Sequence, residues 1–321
     1  MRAVMVSEFG PPEVLVAADV PEPVAGAGQV LIDVEYANIT FVETQVRAGR
    51  PPRPEMLPVL PAILGGGVGG VVAATGPGVD AGVIGRRVVA SLGGSGGYAE
   101  RAVADAARLI EVPDGVPMRD AVALLADGRT AVGLIRRAAP RPGETVLVEA
   151  AAGGVGSLLV QLAHNEGARV IALAGAEHKL ALARELKAEI AIDYRAPDWA
   201  RQARNAAGPV DIVFDGVGGE IGEAAFELLA PGGRFVPFGM ASGRFARVSA
   251  EAAAARGVAV LRGPPGGTPA EIDALTRAAL EHARGNRLRP VIGQEFELGR
   301  AAEAHDAIEA RSTIGKTLLA V

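Results

Sequence analysis

Between Val146 and His164 the chain carries residues in an order that can hold a phosphate. Val146-Leu147-Val148-Glu149-Ala150 reads as a buried strand, Ala151-Ala152-Gly153-Gly154-Val155-Gly156 as a turn, and Ser157 to His164 as the opening of a helix. Free backbone amides and the positive end of the helix dipole meet at such a helix start, so a strand, a glycine turn and a helix together suit a pyrophosphate. Gly153 and Gly154 let the backbone approach the ligand closely, and Gly156 lets the helix pack on the sheet. Ala151 stands where a first glycine is usual, and Ala152 and Val155 complete the loop. Residues 151–156 are thus the candidate dinucleotide site, the bland alternative being a simple tight connection.

Two other glycine motifs lack that context. Gly65-Gly66-Gly67-Val68-Gly69-Gly70 matches G-x-G-x-x-G literally, but Pro58 and Pro61 precede it and strand-like Val71-Val72-Ala73-Ala74 follows, so no helix start is available for an anion. Gly93-Gly94-Ser95-Gly96-Gly97 matches the G-x-S-x-G elbow of serine hydrolases. That motif works only as a sharp turn from strand into helix, whereas here strand-like Tyr98 to Val103 follows.

The second strand of the α/β region chooses the dinucleotide. An acidic residue at its end accepts the ribose 2′-hydroxyl of NAD, but the chain has Ala174-Gly175-Ala176 there. Lys179 follows in the next helix, and Tyr194 and Arg195 lie just beyond the third strand. With only three lysines against 29 arginines in the chain, a lysine at this spot stands out. A cation and a phenol converging where no carboxylate repels a 2′-phosphate predict NADPH. The alternatives are Glu177 as a ribose acceptor and Lys179 as an ordinary solvated lysine. Two further turns, Asp215-Gly216-Val217-Gly218-Gly219 and Phe238-Gly239-Met240-Ala241-Ser242-Gly243, close the fourth and fifth strands. Ligands of open α/β sheets bind outside the carboxyl ends of the strands, so Gly216, Val217, Phe238, Gly239 and Met240 are expected to border the nicotinamide half.

The elements that must position these residues fall into two textures. Residues 1–117 alternate short Val/Ile/Leu runs with Gly and Pro, the pattern of a compact, mostly antiparallel β domain. From Met118 longer Ala- and Leu-rich helical segments alternate with brief strands at 145–149, 169–173, 190–192, 211–214 and 234–238, which predicts a doubly wound parallel sheet. The α/β domain is placed at 118–256. A C-terminal segment, 257–321, is expected to return to the β domain and to end in a strand at Gly315–Val321.

Composition narrows the function. Of 321 residues 49% are hydrophobic and 21% charged, enough apolar sequence for a large core. A net charge of -5 with few aromatics argues against a nucleic-acid surface or an anionic membrane as partner. Without cysteine there is no thiolate chemistry, no disulfide and no cysteine-based zinc site, which fits a cytoplasmic protein. The uncharged stretch Met56–Val79 holds three prolines and seven glycines and reads as loop and strand, not a membrane span.

Taken together, these segments resemble the quinone oxidoreductase-like branch of the medium-chain dehydrogenase/reductase superfamily, the relatives of zeta-crystallin. The likeness runs through essentially the whole chain. It is carried by Val42–Gly49, Gly97-Tyr98-Ala99-Glu100, Thr130-Ala131, Pro142–Val148, Ala151–Gly156, Asp215–Gly218, Phe238-Gly239 and Gly315-Lys316. It implies an α/β protein: a GroES-like β domain with an inserted Rossmann domain, a nicotinamide in the cleft, and a homodimer. The activity implied is NADPH-dependent reduction of a quinone or of a carbon–carbon double bond conjugated to a carbonyl.

By the same resemblance Thr130 contacts the nicotinamide carboxamide, and Thr40, Phe41, Gln45, Phe238 and Met240 line the substrate pocket, core packing being the alternative for the two phenylalanines. Zinc-dependent cousins hold their metal with Cys and His. Here Cys is absent and His164, His178, His282 and His305 are scattered, so no metal ligand is assigned. The chain departs from its relatives in Thr40-Phe41-Val42-Glu43, where Asn-x-x-Asp is frequent, in Gln45, where many carry a pocket Tyr, and in three glycines at 65–67, where Gly-x-Glu is common. No side chain is assigned as general acid, which leaves proton delivery to water or a hydroxyl. A non-catalytic NADPH sensor or an RNA-binding moonlighting protein is the alternative class.

Overall fold

Alternating apolar and polar residues over Gln29–Ile39 build the spine of a β sheet, with Val30, Ile32, Val34, Ala37 and Ile39 buried in the core. The computed structural model describes residues 1–321, which divide into two compact units. The first comprises Met1–Ala126, Thr276–Arg284 and Pro290–Val321, the second Asp127–Leu275 and Gly285–Arg289.

In the first unit Gln29–Ile39 pairs antiparallel with Gly67–Thr75, Arg101–Asp105 and the chain's last strand, Lys316–Ala320. Ile292–Glu297 adds to that last strand in parallel. A separate three-stranded sheet contains Arg2–Val6 between Val16–Asp19 and Ala62–Ile63. The glycines of the literal G-x-G-x-x-G serve packing. A Cβ on Gly69 would come within 2.4 Å of Val122 Cγ2, and one on Gly67 within 2.7 Å of Leu125 Cδ2. The helix Met118–Ala138 thus lies directly on the bare strand with its first two turns. That contact moves the division of the units: the change of texture in the sequence falls at 117/118, whereas the units part inside this helix, after Ala126. Tyr98, read as the start of a strand, precedes it instead. The strand begins at Arg101, and Tyr98 turns inward, fully buried.

The second unit holds six parallel strands, labelled here β1 Thr145–Val148, β2 Arg169–Ala174, β3 Ile190–Asp193, β4 Val210–Asp215, β5 Leu229–Pro237 and β6 Ala259–Val260. Helices α1 Gly154–Asn165, α2 Glu177–Glu185, α3 Trp199–Ala207 and α4 Gly219–Phe226 follow the first four strands. The order across the sheet is β3-β2-β1-β4-β5-β6, so the winding reverses between β1 and β4. The inner strands β1, β2 and β4 are largely apolar and buried, as expected where helices cover both faces of a parallel sheet; all four residues of β1 are buried.

One expectation is corrected here. Residues 257–275 do not return to the β unit, because Arg234 and Phe235 of β5 pair with Ala259 and Val260, extending the sheet to a sixth strand. The uncharged stretch 56–79 forms loops and the strands Ala62–Ile63 and Gly67–Thr75, and no helix is long and apolar enough to cross a membrane.

Candidate functional site: a dinucleotide cradle at the strand ends

The turn after β1 has the geometry that a pyrophosphate needs. Ala150 adopts a positive φ of 49°, and Gly153 N donates to Ala150 O at 2.8 Å, folding the chain sharply back. Gly153 is the N-cap of α1 and offers no side chain to the helix start, so the first amides are left for a ligand. A Cβ on Gly156 would stand 2.1 Å from Ala150 O, so only glycine allows α1 to seat against the turn. At Gly153 the nearest atom to such a Cβ is Ala150 O at 3.2 Å, a tight contact without the overlap found at Gly156.

At the end of β2, Gly175 lies under the Tyr194 ring, where a Cβ would come 3.0 Å from the phenol oxygen. Tyr194 and Lys179 are both half-buried, Lys179 in the first turn of α2. The rival groups are engaged elsewhere. Glu177 pairs with Arg184 along α2 at 2.7 Å, and Arg195 is held by Asp193 at 2.6 Å. That pairing holds the Asp193 carboxyl below its usual range.

The turns after β4 and β5 are joined by their backbones. Phe238 N donates to Asp215 O at 2.9 Å, Ala241 N to Gly216 O at 3.3 Å and Ser242 N to Val217 O at 2.8 Å. Gly216 and Gly239 permit this approach, since a Cβ on Gly239 would fall 2.5 Å from Gly216 O and one on Gly216 2.7 Å from Phe238 Cζ. The structure therefore brings Gly216, Val217, Phe238, Gly239 and Met240 together at the carboxyl end of the sheet. Phe238 and Met240 are half-buried rather than core residues, as is Thr130 in the helix Met118–Ala138.

Thr40, Phe41 and Gln45 belong to the first unit. Thr40 caps the helix Phe41–Arg47 through a reciprocal box: Thr40 N donates to Glu43 Oε2 at 2.6 Å, and Glu43 N to Thr40 Oγ1 at 3.4 Å. Glu43 Oε1 also accepts from Gly66 N at 2.6 Å. Burial pushes the Glu43 carboxyl up, against the lowering effect of these donors and of Lys316. Phe41 is 37% exposed, which removes it from the core. The amide of Gln45 donates to Thr44 Oγ1 at 3.2 Å.

Two buried polar pairs escaped the sequence reading. Tyr98 OH meets His305 Nε2 at 3.0 Å in the first unit, and burial beside Arg47 brings His305 down to about 3. In the second unit Glu149 and Asp215, both with no exposed surface, meet at the ends of β1 and β4. The one signal in the sequence is a carboxylate closing an otherwise apolar parallel strand. No three His, Cys, Asp or Glu side chains gather as a metal-binding group.

Comparison with known proteins agrees with this geometry. A family model described as zinc-binding dehydrogenase matches residues 154–281, and one described as alcohol dehydrogenase GroES-like domain matches residues 26–114. A quinone oxidoreductase of Pseudomonas aeruginosa is 32% identical over 325 residues, covering 99% of each chain. A 2-haloacrylate reductase of a Burkholderia species is 30% identical over 329 residues, covering 99% of this chain and 98% of the other. A mycobacterial protein solved in complex with NADPH superimposes with a TM-score of 0.89 at 34% identity over 100% of both chains. On this similarity across its full length, joined to the glycine turn at the β1/β4 reversal, the chain belongs to the quinone oxidoreductase branch of the medium-chain dehydrogenase/reductase superfamily.

Proposed function

We propose that the chain is an NADPH-dependent oxidoreductase that passes hydride to a quinone or to an α,β-unsaturated carbonyl compound without zinc. The observation that carries this reading is the uncapped start of α1, a twelve-residue helix, beside the point where the sheet's winding reverses. The cradle fits the cofactor: Gly153 leaves the start of α1 without a side-chain cap, no carboxylate ends β2, and Glu177 is turned to Arg184. When bound, NADPH supplies the hydride. The amides at 153–156 hold its pyrophosphate, and Lys179 and Tyr194 hold the 2′-phosphate. Gly216, Val217, Phe238, Gly239 and Met240 border the nicotinamide half, and Thr130 is assigned to the carboxamide by family resemblance.

Thr40, Phe41 and Gln45 remain assigned to the acceptor by that resemblance. The reading without zinc follows from the donors, with no cysteine in the chain and no cluster of other ligands. An activated double bond as acceptor is supported by the similarity to a 2-haloacrylate reductase. A homodimer in the cytoplasm completes the proposal, the edge strand β6 leaving one side of the parallel sheet open to a second copy.

The test is an NADPH-oxidation screen across para- and ortho-quinones, alkyl enones, haloacrylates and enoyl thioesters. Turnover on a quinone or an enone is expected. Tight NADPH binding with no turnover on any acceptor would replace the enzyme by a sensor.

A further inference from the structure

Glu149 directly follows β1 and Asp215 ends β4, and these strands are neighbours in register, Phe214 opposite Val148. The two carboxyls therefore lie side by side at the reversal point. Each accepts one backbone amide of the following turn, Val217 N to Glu149 Oε2 at 3.0 Å and Gly218 N to Asp215 Oδ1 at 2.6 Å. The other oxygens, Glu149 Oε1 and Asp215 Oδ2, are buried and meet no N–H or hydroxyl donor. Two bare carboxylates placed so would repel each other with nothing between them, whereas one shared proton would give each free oxygen a partner. Behind them α4 closes the space, since a Cβ on Gly222 would lie 2.7 Å from Asp215 Oδ2.

We propose that Glu149 and Asp215 are positioning residues that share a single proton and so hold the Gly216–Val217–Gly218 turn in the shape that receives the cofactor. The inference rests on the reading of that turn as part of the NADPH site. With the proton in place both amides and all four oxygens are satisfied. Without it, two negative charges face each other in a site with no exposed surface, and the turn they anchor is released. Burial, the partner carboxyl and the amides of Val217 and Gly218 are what act on the pair. On α4, Glu220 is exposed and Glu223 is bound to Arg244 at 2.6 Å. Cofactor affinity thus depends on a proton that does not take part in the reaction.

NADPH and NADH binding to the intact protein, followed by fluorescence between about pH 6 and about pH 9, tests this alongside infrared spectra of the free protein. The wild type is expected to show a protonated-carboxyl C=O band at neutral pH that Glu149→Gln removes. Its dissociation constants for both cofactors are expected to rise with pH, by up to about tenfold per pH unit once the pair ionises. Glu149→Gln keeps one donor and one acceptor at the same place, so its affinity should stay near the neutral-pH wild-type value and lose the pH slope. Absence of the band, or the same pH slope in Glu149→Gln as in the wild type, overturns the proposal. Should Glu149→Gln not fold, Asp215→Asn and the wild-type band decide in the same way. A wild type that binds no NADPH at any pH would sink the functional reading instead, leaving the shared proton to the infrared band.

Discussion

In the proposed site Lys179 and Tyr194 are the residues assigned to choose between the two nicotinamide cofactors, since a 2′-phosphate at the end of β2 would meet a cation and a phenol and no carboxylate from that strand. Lys179→Ala is expected to weaken NADPH binding about 10- to 100-fold and NADH binding by less than about threefold, the loss of a charge-assisted contact. Titration with each cofactor checks this, and an equal loss for both removes the phosphate from that position. Buried groups act at the same scale through protons. His305 is held neutral, down at about 3, by burial beside Arg47, while Glu149 is pushed up by burial and by Asp215.

The turn between β1 and α1 is an element in which two glycines have separate duties. Gly156→Ala would drive a Cβ to 2.1 Å from Ala150 O, so it should cost roughly 2 kcal/mol or more in stability, the range of overpacked sites. Gly153→Ala meets Ala150 O at 3.2 Å and keeps a negative φ of -82°, so it should lose less stability than Gly156→Ala. In the proposed site its methyl would stand at the uncapped start of α1 and should weaken NADPH binding. Thermal melts combined with cofactor titration separate the two, and parallel losses in both variants would refute the division of labour. In the first unit, Thr40→Val removes the side-chain half of the capping box on Phe41–Arg47 and is expected to cost about 1 kcal/mol by denaturant unfolding.

The whole molecule should show the two buried pairs as opposite limbs of its pH–stability curve. The folded state does not take up the His305 proton that the unfolded chain binds below its ordinary 6.5, so stability is lost as pH falls from there toward about 3. Glu149 keeps in the folded state a proton that the unfolded chain releases near 4.5, so its contribution is lost as pH rises from there through the raised folded value. Melting temperatures across pH should show His305→Gln flattening the acid limb and Glu149→Gln the alkaline one. A variant that shifts the curve uniformly, with no change in slope, would contradict its assignment. Much of this molecule was legible before any coordinates. The run Val146–Ala150, the turn 151–156 and the apolar period after it state a strand, a glycine turn and a helix locally, because the hydrogen bonds and backbone angles involved lie within a few residues. The absence of a carboxylate at 174–176 is local in the same way. The sixth strand, the seating of Met118–Ala138 on the bare strand at Gly67 and Gly69, and the meetings of Tyr98 with His305 and of Glu149 with Asp215 were not legible. Those contacts join residues from 25 to 207 positions apart, and which distant partner a side chain meets is decided by how the sheets and helices pack. Residue order by itself determined the cradle's local chemistry; only tertiary packing decided which buried groups must share a proton, since a carboxyl becomes costly to ionise once folding has taken water away from it.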